Sequence, residues 1–202
     1  FDGHDFIEEA KNKKASAIVL SDTSKAISNK NTTPVVTRVG DTLKALQELA
    51  RVPREQISVQ VIGITGTNGK STTARLLFEI LKNQKKDVRL VGNIGNPILN
   101  EKKITSKTIF VIEASSYQIE YSKIFKANYA LILNVSPDHL ERHNTFKNYV
   151  KSKFKLIRNQ TNNDYSFFNV KDKFLKKEIK KEKIYSKIVN VDIKFFKRNL
   201  AL

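Results

Sequence analysis

Apolar residues along the chain alternate between short runs and helical stripes. "DFIEEAKNK" (5–13) has helical spacing, while "SAIVL" (16–20) and "PVVTRV" (34–39) read as short strands. "DTLKALQELARV" (41–52) opens on Asp41, a good N-cap, and carries Leu43, Leu46 and Leu49 before Pro53 closes it. After a seam near residues 53–58 comes "SVQVIGIT" (58–65), whose apolar character fits a parallel strand covered on both faces. A helix is predicted from about Lys70 to Asn83. Further strands are predicted at "DVRLVG" (87–92), "KTIFVIEAS" (107–115), "NYALILNVS" (128–136), "YSFFNV" (165–170) and "SKIVNV" (186–191). "TFKNYVKSKFKLIRN" (145–159) is helical, with Phe146, Tyr149, Val150, Phe154 and Ile157 on one stripe. This alternation predicts an α/β fold with a mainly parallel sheet. Two domains are expected, a small α/β unit over residues 1–57 and a larger one over residues 58–202.

Composition then narrows the classes. With 202 residues the chain can bury a real core, and no apolar run approaches the roughly 18 residues that span a bilayer. Asp2, Asp5, Glu8 and Glu9 make the N-terminus unlike a secretory leader, and the lack of cysteine excludes disulfides and thiolate metal sites. A cytoplasmic protein that does not insert in membranes is expected. Methionine is absent even at position 1, so a fragment or a processed chain is expected too. The net charge of +17 invites a nucleic-acid reading. However, the densest basic run, "KDKFLKKEIKKEKIYSK" (171–187), mixes Lys with Glu and Asp as a solvated helix face does, and carries no nucleic-acid motif. No nucleic-acid partner is expected. The competing reading is a basic phosphate-loop module whose nucleic-acid binding would fall steeply with salt.

The chemistry concentrates at strand ends. In "VIGITGTNGKSTTARL" (61–76) an apolar strand runs into Gly66, Gly69, Lys70 and Ser71. The common G-x-x-x-x-G-K-[ST] loop wants glycine at position 64, where this chain has Ile64, with Gly63 one place off. The shorter loop still orders strand, glycines, Gly-Lys-Ser and helix as phosphate binding requires. Its N–H groups and the helix N-terminus would face an anion, Lys70 would neutralise phosphate charge, and the Ser71 hydroxyl would suit Mg²⁺. Thr72 and Thr73 either support the loop or simply begin the helix. Glu113 ends the apolar strand "TIFVIE", where open α/β sheets gather ligand-binding groups, and suits Mg²⁺ ligation or water activation. "NVSPDHLERH" (134–143) follows another apolar strand, bringing Asp138 and His139 to the same edge. His139 and His143 are four apart, but Leu140 stands where H-E-x-x-H needs Glu, so zinc hydrolysis is not expected. "GNIGNP" (92–97) is a glycine-rich loop after a strand, or only a turn.

Together, "GITGTNGKST", "GNIGNP", "IEASSYQIE" and "LNVSPDHLERH" followed by "YVKSKFKLI" resemble the Mur ligases, over residues 60–170. The short loop is that family's form, shared with folylpolyglutamate synthases. The stretch "EASSYQ" is most similar to the branch of the family that adds D-glutamate. The resemblance implies an ATP-dependent amide ligase of peptidoglycan precursor synthesis. Its substrates would be ATP, a UDP-N-acetylmuramoyl-peptide and a D-amino acid, with Mg²⁺ as cofactor, in a monomer. It also implies roles. Gly66, Thr67, Asn68, Gly69, Lys70, Ser71 and Thr72 would bind ATP. Asn93, Ser115 and Gln118 would face the muramoyl substrate. Ser71 and Glu113 would hold one Mg²⁺ and His139 would serve a second. Lys153 matches the lysine that the family carbamylates, which would make it a further Mg²⁺ ligand once carbamylated, and Lys70, His139 and Lys153 are the catalytic candidates. The head, "FDGHDFIEEA" with "DTLKALQELA", resembles instead the N-terminal domain of the branches that add later peptide residues, as in a natural mosaic or two joined genes. The family's C-terminal domain has no counterpart in these residues, so little or no ligase activity is expected from the chain alone.

Overall fold

The computed structural model describes residues 3–21, 34–56 and 58–192, which divide into two compact units, Phe1–Pro53 and Arg54–Leu202. In the first, a 3-10 turn (Gly3–Phe6) leads into α1 (Ile7–Asn12), and β1 (Ala17–Ser21) pairs in parallel with β2 (Val35–Val39). The helix α2 (Thr42–Gln56) continues past Pro53 instead of stopping before it. Proline usually ends a helix because it lacks the N–H donor and crowds the preceding turn, so this continuation runs against the local preference. The leucine stripe read from the sequence lies outward, with Leu46 and Leu49 both more than 60% exposed.

The second unit is built on six parallel strands: β3 (Gln60–Thr65), β4 (Val88–Gly92), β5 (Ile109–Glu113), β6 (Tyr129–Ile132), β7 (Tyr165–Asn169) and β8 (Lys187–Val191), in the order β4-β5-β3-β6-β7-β8. Alternation along the strands serves two cores. Ile62, Ile64, Val111, Leu131 and Leu133 pack against α3 (Lys70–Asn83) through Ala74, Leu77, Phe78 and Leu81. Val61, Phe110, Ile112, Ala130 and Ile132 face the other way, against α4 (Ser116–Tyr121), α6 (Phe146–Phe154), a 3-10 turn at Lys155–Ile157 and α7 (Lys173–Ile179). Burial on both faces explains the near-continuous apolar strands.

Gly63 belongs to this packing rather than to the loop. A Cβ there would sit 3.0 Å from Leu156 Cδ1 and 3.1 Å from Ala127 Cβ. Strand order reverses at β3, whose successor β4 lies on one side and β6 on the other. The carboxyl ends flanking such a reversal form the ligand crevice of open α/β sheets. No described helix is long and apolar enough to cross a membrane.

Candidate functional site

The turn between β3 and α3 depends on Gly69, which caps the helix in the left-handed conformation (φ 79°). Lys70 is the first helical residue, and its Nζ donates to the carbonyls of Gly66 (3.1 Å) and Thr67 (3.0 Å). Thr67 and Asn68 are tied to the segment after β6. The Thr67 N–H donates to the carbonyl (3.1 Å) and to Oδ1 (3.0 Å) of Asn134. The Asn68 N–H donates to the same Oδ1 (2.9 Å), and Asn134 Nδ2 donates back to the Asn68 carbonyl (3.0 Å). Thr67 Oγ1 accepts from the Ser136 N–H at 3.0 Å and lies 3.1 Å from the Tyr149 hydroxyl.

Lys153 reaches the same loop from α6. It is almost wholly buried, donates to the Gly66 carbonyl at 2.9 Å, and sits 4.4 Å from the Tyr149 ring centroid. Burial, then repulsion from Lys70, lowers its pKa to about 7, with Asp138 pulling weakly the other way. An amine so placed is substantially neutral near physiological pH.

Glu113 closes β5 level with Ile64 of β3 and Gly92 of β4. Its Oε1 accepts from Asn93 Nδ2 (3.0 Å), while its buried Oε2 has no hydrogen-bond partner. Thr65 Oγ1, at the end of the neighbouring β3, is also buried and unpartnered. Gly92 holds Asn93 against Glu113 by a close approach, since a Cβ there would fall 2.3 Å from the Glu113 carbonyl oxygen. Ser115 and Gln118 are joined as a capping box at the start of α4: the Gln118 N–H donates to Ser115 Oγ (3.3 Å) and the Ser115 N–H to Gln118 Oε1 (2.9 Å).

His139 adjoins the loop cluster through Tyr149, with ring centroids 6.3 Å apart. It precedes α5 (Leu140–His143) in a left-handed conformation, 3.4 Å from Asp138 and 3.6 Å from Glu141, with its ring 5.1 Å from that of Tyr117. His143 is buried behind it, stacked on Tyr117, with Nε2 3.1 Å from Ser116 Oγ. Burial holds the His143 pKa below the usual imidazole range.

Sequence reasoning missed Asn134, Tyr149 and His143 as parts of the site. Tyr149 was legible only as an apolar-stripe residue, and Asn134 only as the residue that follows an apolar strand.

Among the described residues no three or more His, Cys, Asp or Glu side chains gather to hold a metal. The unpartnered Glu113 oxygen nevertheless fits a hard cation of the Mg²⁺ type, which draws its remaining ligands from water and substrate phosphates.

The fold and site define a parallel-sheet protein with a short Gly-Lys-Ser loop at the strand reversal. The chain belongs to the Mur ligase family: residues 64–199 match the Mur ligase middle domain. Among curated relatives, the UDP-N-acetylmuramoylalanine–D-glutamate ligase of Caldicellulosiruptor bescii is 47% identical over 113 residues, 55% of this chain and 25% of that protein. The enzyme of the same name from Alkaliphilus oremlandii is 43% identical over 130 residues, 64% of this chain and 28% of that protein. The chain thus spans about a quarter of the length of these relatives. Among solved structures, MurF ligase from Thermotoga maritima in complex with ADP superposes with a TM-score of 0.74 at 28% identity, covering 96% of this chain and 45% of that one.

Proposed function

We propose that the chain is the ATP-handling part of an amide ligase that joins D-glutamate to UDP-N-acetylmuramoyl-L-alanine. The observation that carries this reading is the convergence of Lys70 and the buried Lys153 on one loop carbonyl, next to the strand end that carries Glu113. Lys70 places a cation at the first residue of α3, where the helix N-terminus also favours an anion, and nucleoside triphosphate supplies one. The relatives named for D-glutamate addition support the substrate choice.

In this reading the α3 N-terminus and Lys70 hold the phosphates, with Gly66, Thr67, Asn68, Gly69, Ser71 and Thr72 forming the loop. Ser71 and Glu113 hold one Mg²⁺, and His139 serves a second. The ion supplies charge neutralisation of the transferring phosphoryl group. Asn93 fixes the Glu113 carboxylate, and the Ser115–Gln118 corner faces the muramoyl substrate together with Asn93. The substrate carboxylate attacks the γ-phosphorus and ADP departs. The D-glutamate amine then attacks the acyl carbon, phosphate leaves, and an amide remains. Lys153, neutral in part, has a lone pair to attack CO₂; loss of one N–H proton leaves a carbamate, turning a cation beside Lys70 into an anion. An enzyme that consumes ATP and a UDP-linked precursor works in the cytoplasm, and we assign the chain there, as a monomer.

The first unit we read as part of a Mur-type N-terminal domain of the later-adding branches. Its support is the coverage: the MurF superposition extends over 96% of the chain, whereas the two D-glutamate ligases cover 55% and 64%. The boundary in this reading is residue 57.

The test is an assay of the intact gene product for joining labelled D-glutamate to UDP-N-acetylmuramoyl-L-alanine, with D-Ala-D-Ala and diaminopimelate as competitors. D-glutamate incorporation, with one phosphate released per amide, is expected. Preference for either competitor contradicts the substrate assignment.

A further inference from the structure

A short loop raises a physical problem. The longer phosphate loops offer more backbone N–H groups to the phosphates, whereas here only Thr67 and Asn68 separate the two glycines. The backbone donors of both residues are already committed. Two N–H groups converge on Asn134 Oδ1 at 3.0 and 2.9 Å, and Asn134 Nδ2 returns a bond to the Asn68 carbonyl at 3.0 Å. A single carboxamide therefore accepts twice from the loop and donates once to it. Thr67 extends the join, its hydroxyl exchanging bonds with the Ser136 N–H (3.0 Å) and the Ser136 carbonyl (3.3 Å).

Neighbouring strands β3 and β6 bring the two segments together, with Thr65 level with Ile132. Asn134 then sits two residues past the end of β6, opposite the loop. Its amide thus ties the loop to the end of the neighbouring strand.

We propose that Asn134 is a positioning residue that preorganises the phosphate loop, and that Thr67 and Asn68 form its wall rather than its phosphate cradle. The donors left to a phosphate are then those of Gly69 and the first turn of α3. The binding consequence rests on the nucleotide reading given above; the loop geometry does not.

The test uses the whole chain as wild type, Asn134→Ala and Asn134→Asp. Hydrogen exchange of the Thr67 and Asn68 amides is followed without nucleotide, and ADP and adenosine binding are measured with Mg²⁺. In the wild type both amides are protected. Asn134→Ala is expected to raise exchange of the Asn68 amide by about tenfold or more and to weaken ADP by a similar factor, since that N–H loses its acceptor while the Thr67 N–H keeps the backbone carbonyl of residue 134. Its adenosine affinity and melting temperature stay near wild type, which a general loss of structure would not permit. Asn134→Asp keeps Oδ1, so the amides stay protected, but its charge weakens ADP. That variant carries the test should the alanine form fail to fold. Unprotected wild-type amides, or Asn134→Ala with unchanged Asn68 exchange or unchanged ADP affinity, overturn the proposal. Protected amides in a wild type that does not bind ADP overturn the nucleotide reading alone.

Discussion

Lys70 and Lys153, 83 positions apart in the chain, donate to the same acceptor, the carbonyl oxygen of Gly66, at 3.1 and 2.9 Å. Two ammonium groups on one oxygen repel each other, and the one that yields is the buried one. Lys153 lies inside the fold, so desolvation already favours its neutral form, and Lys70 adds to that push.

The first prediction is a pH dependence of stability. The Lys153 pKa falls from 10.5 to about 7 on folding, so between those values the unfolded chain binds more protons and stability rises with pH. Lys153→Met removes this penalty. The mutant should be the more stable near pH 7, with its advantage shrinking by up to about 1.4 kcal/mol per pH unit toward pH 10. Urea denaturation of both proteins across that range reads the effect; parallel curves would contradict it.

A second prediction concerns Glu113. Glu113→Gln keeps an oxygen for Asn93 but removes the charge on the unpartnered side. The gain in ADP affinity that Mg²⁺ confers should fall by about tenfold or more, while Mg²⁺-free affinity holds. Equal Mg²⁺ dependence in mutant and wild type would remove Glu113 from the cation site.

Gly92 gives a third. With φ at 105° and a Cβ placed 2.3 Å from the Glu113 carbonyl oxygen, Gly92→Ala must displace backbone. A loss of about 3 kcal/mol or more is expected in chemical denaturation. A loss under half that would mean the strand ends are loosely joined.

His143 gives the fourth. His143→Phe keeps a ring beside Tyr117 but leaves the buried Ser116 hydroxyl without its partner. About 1–2 kcal/mol of stability should be lost at pH 7.5. Because burial lowers the His143 pKa, wild type itself loses stability as pH drops below the free imidazole value of 6.5, so the gap should narrow there. A gap constant from pH 7.5 to 5.5 would contradict the buried neutral imidazole.

Much of the fold was legible in periodicity. The helix predicted from Lys70 to Asn83 is α3 to the residue, because strand, glycine and stripe all mark its limits. The apolar strands were legible for a similar reason, as burial on two faces leaves little room for polar residues. Pro53 misled, since α2 runs on through Gln56 against the proline's local preference. The six-residue α4 was not predicted; it is too short for a stripe, although its S-x-x-Q start spells a capping box. Within the site, strand-end position singled out Glu113. The burial of Lys153 was not legible, for it stands among Lys147, Lys151 and Lys155 and differs only in the side of α6 it occupies. Asn134 was hidden because its partners lie 66 and 67 residues away, a contact that only strand order creates.

The central claim is that this loop holds a nucleotide by its phosphates. Titration calorimetry of Mg²⁺-ADP into the wild-type chain and into Lys70→Ala tests it most directly. Saturable one-to-one binding, weakened about tenfold or more by the substitution, is the predicted result, as loss of a charge-assisted phosphate contact requires. No binding to the wild type, or equal affinity in both, would contradict it.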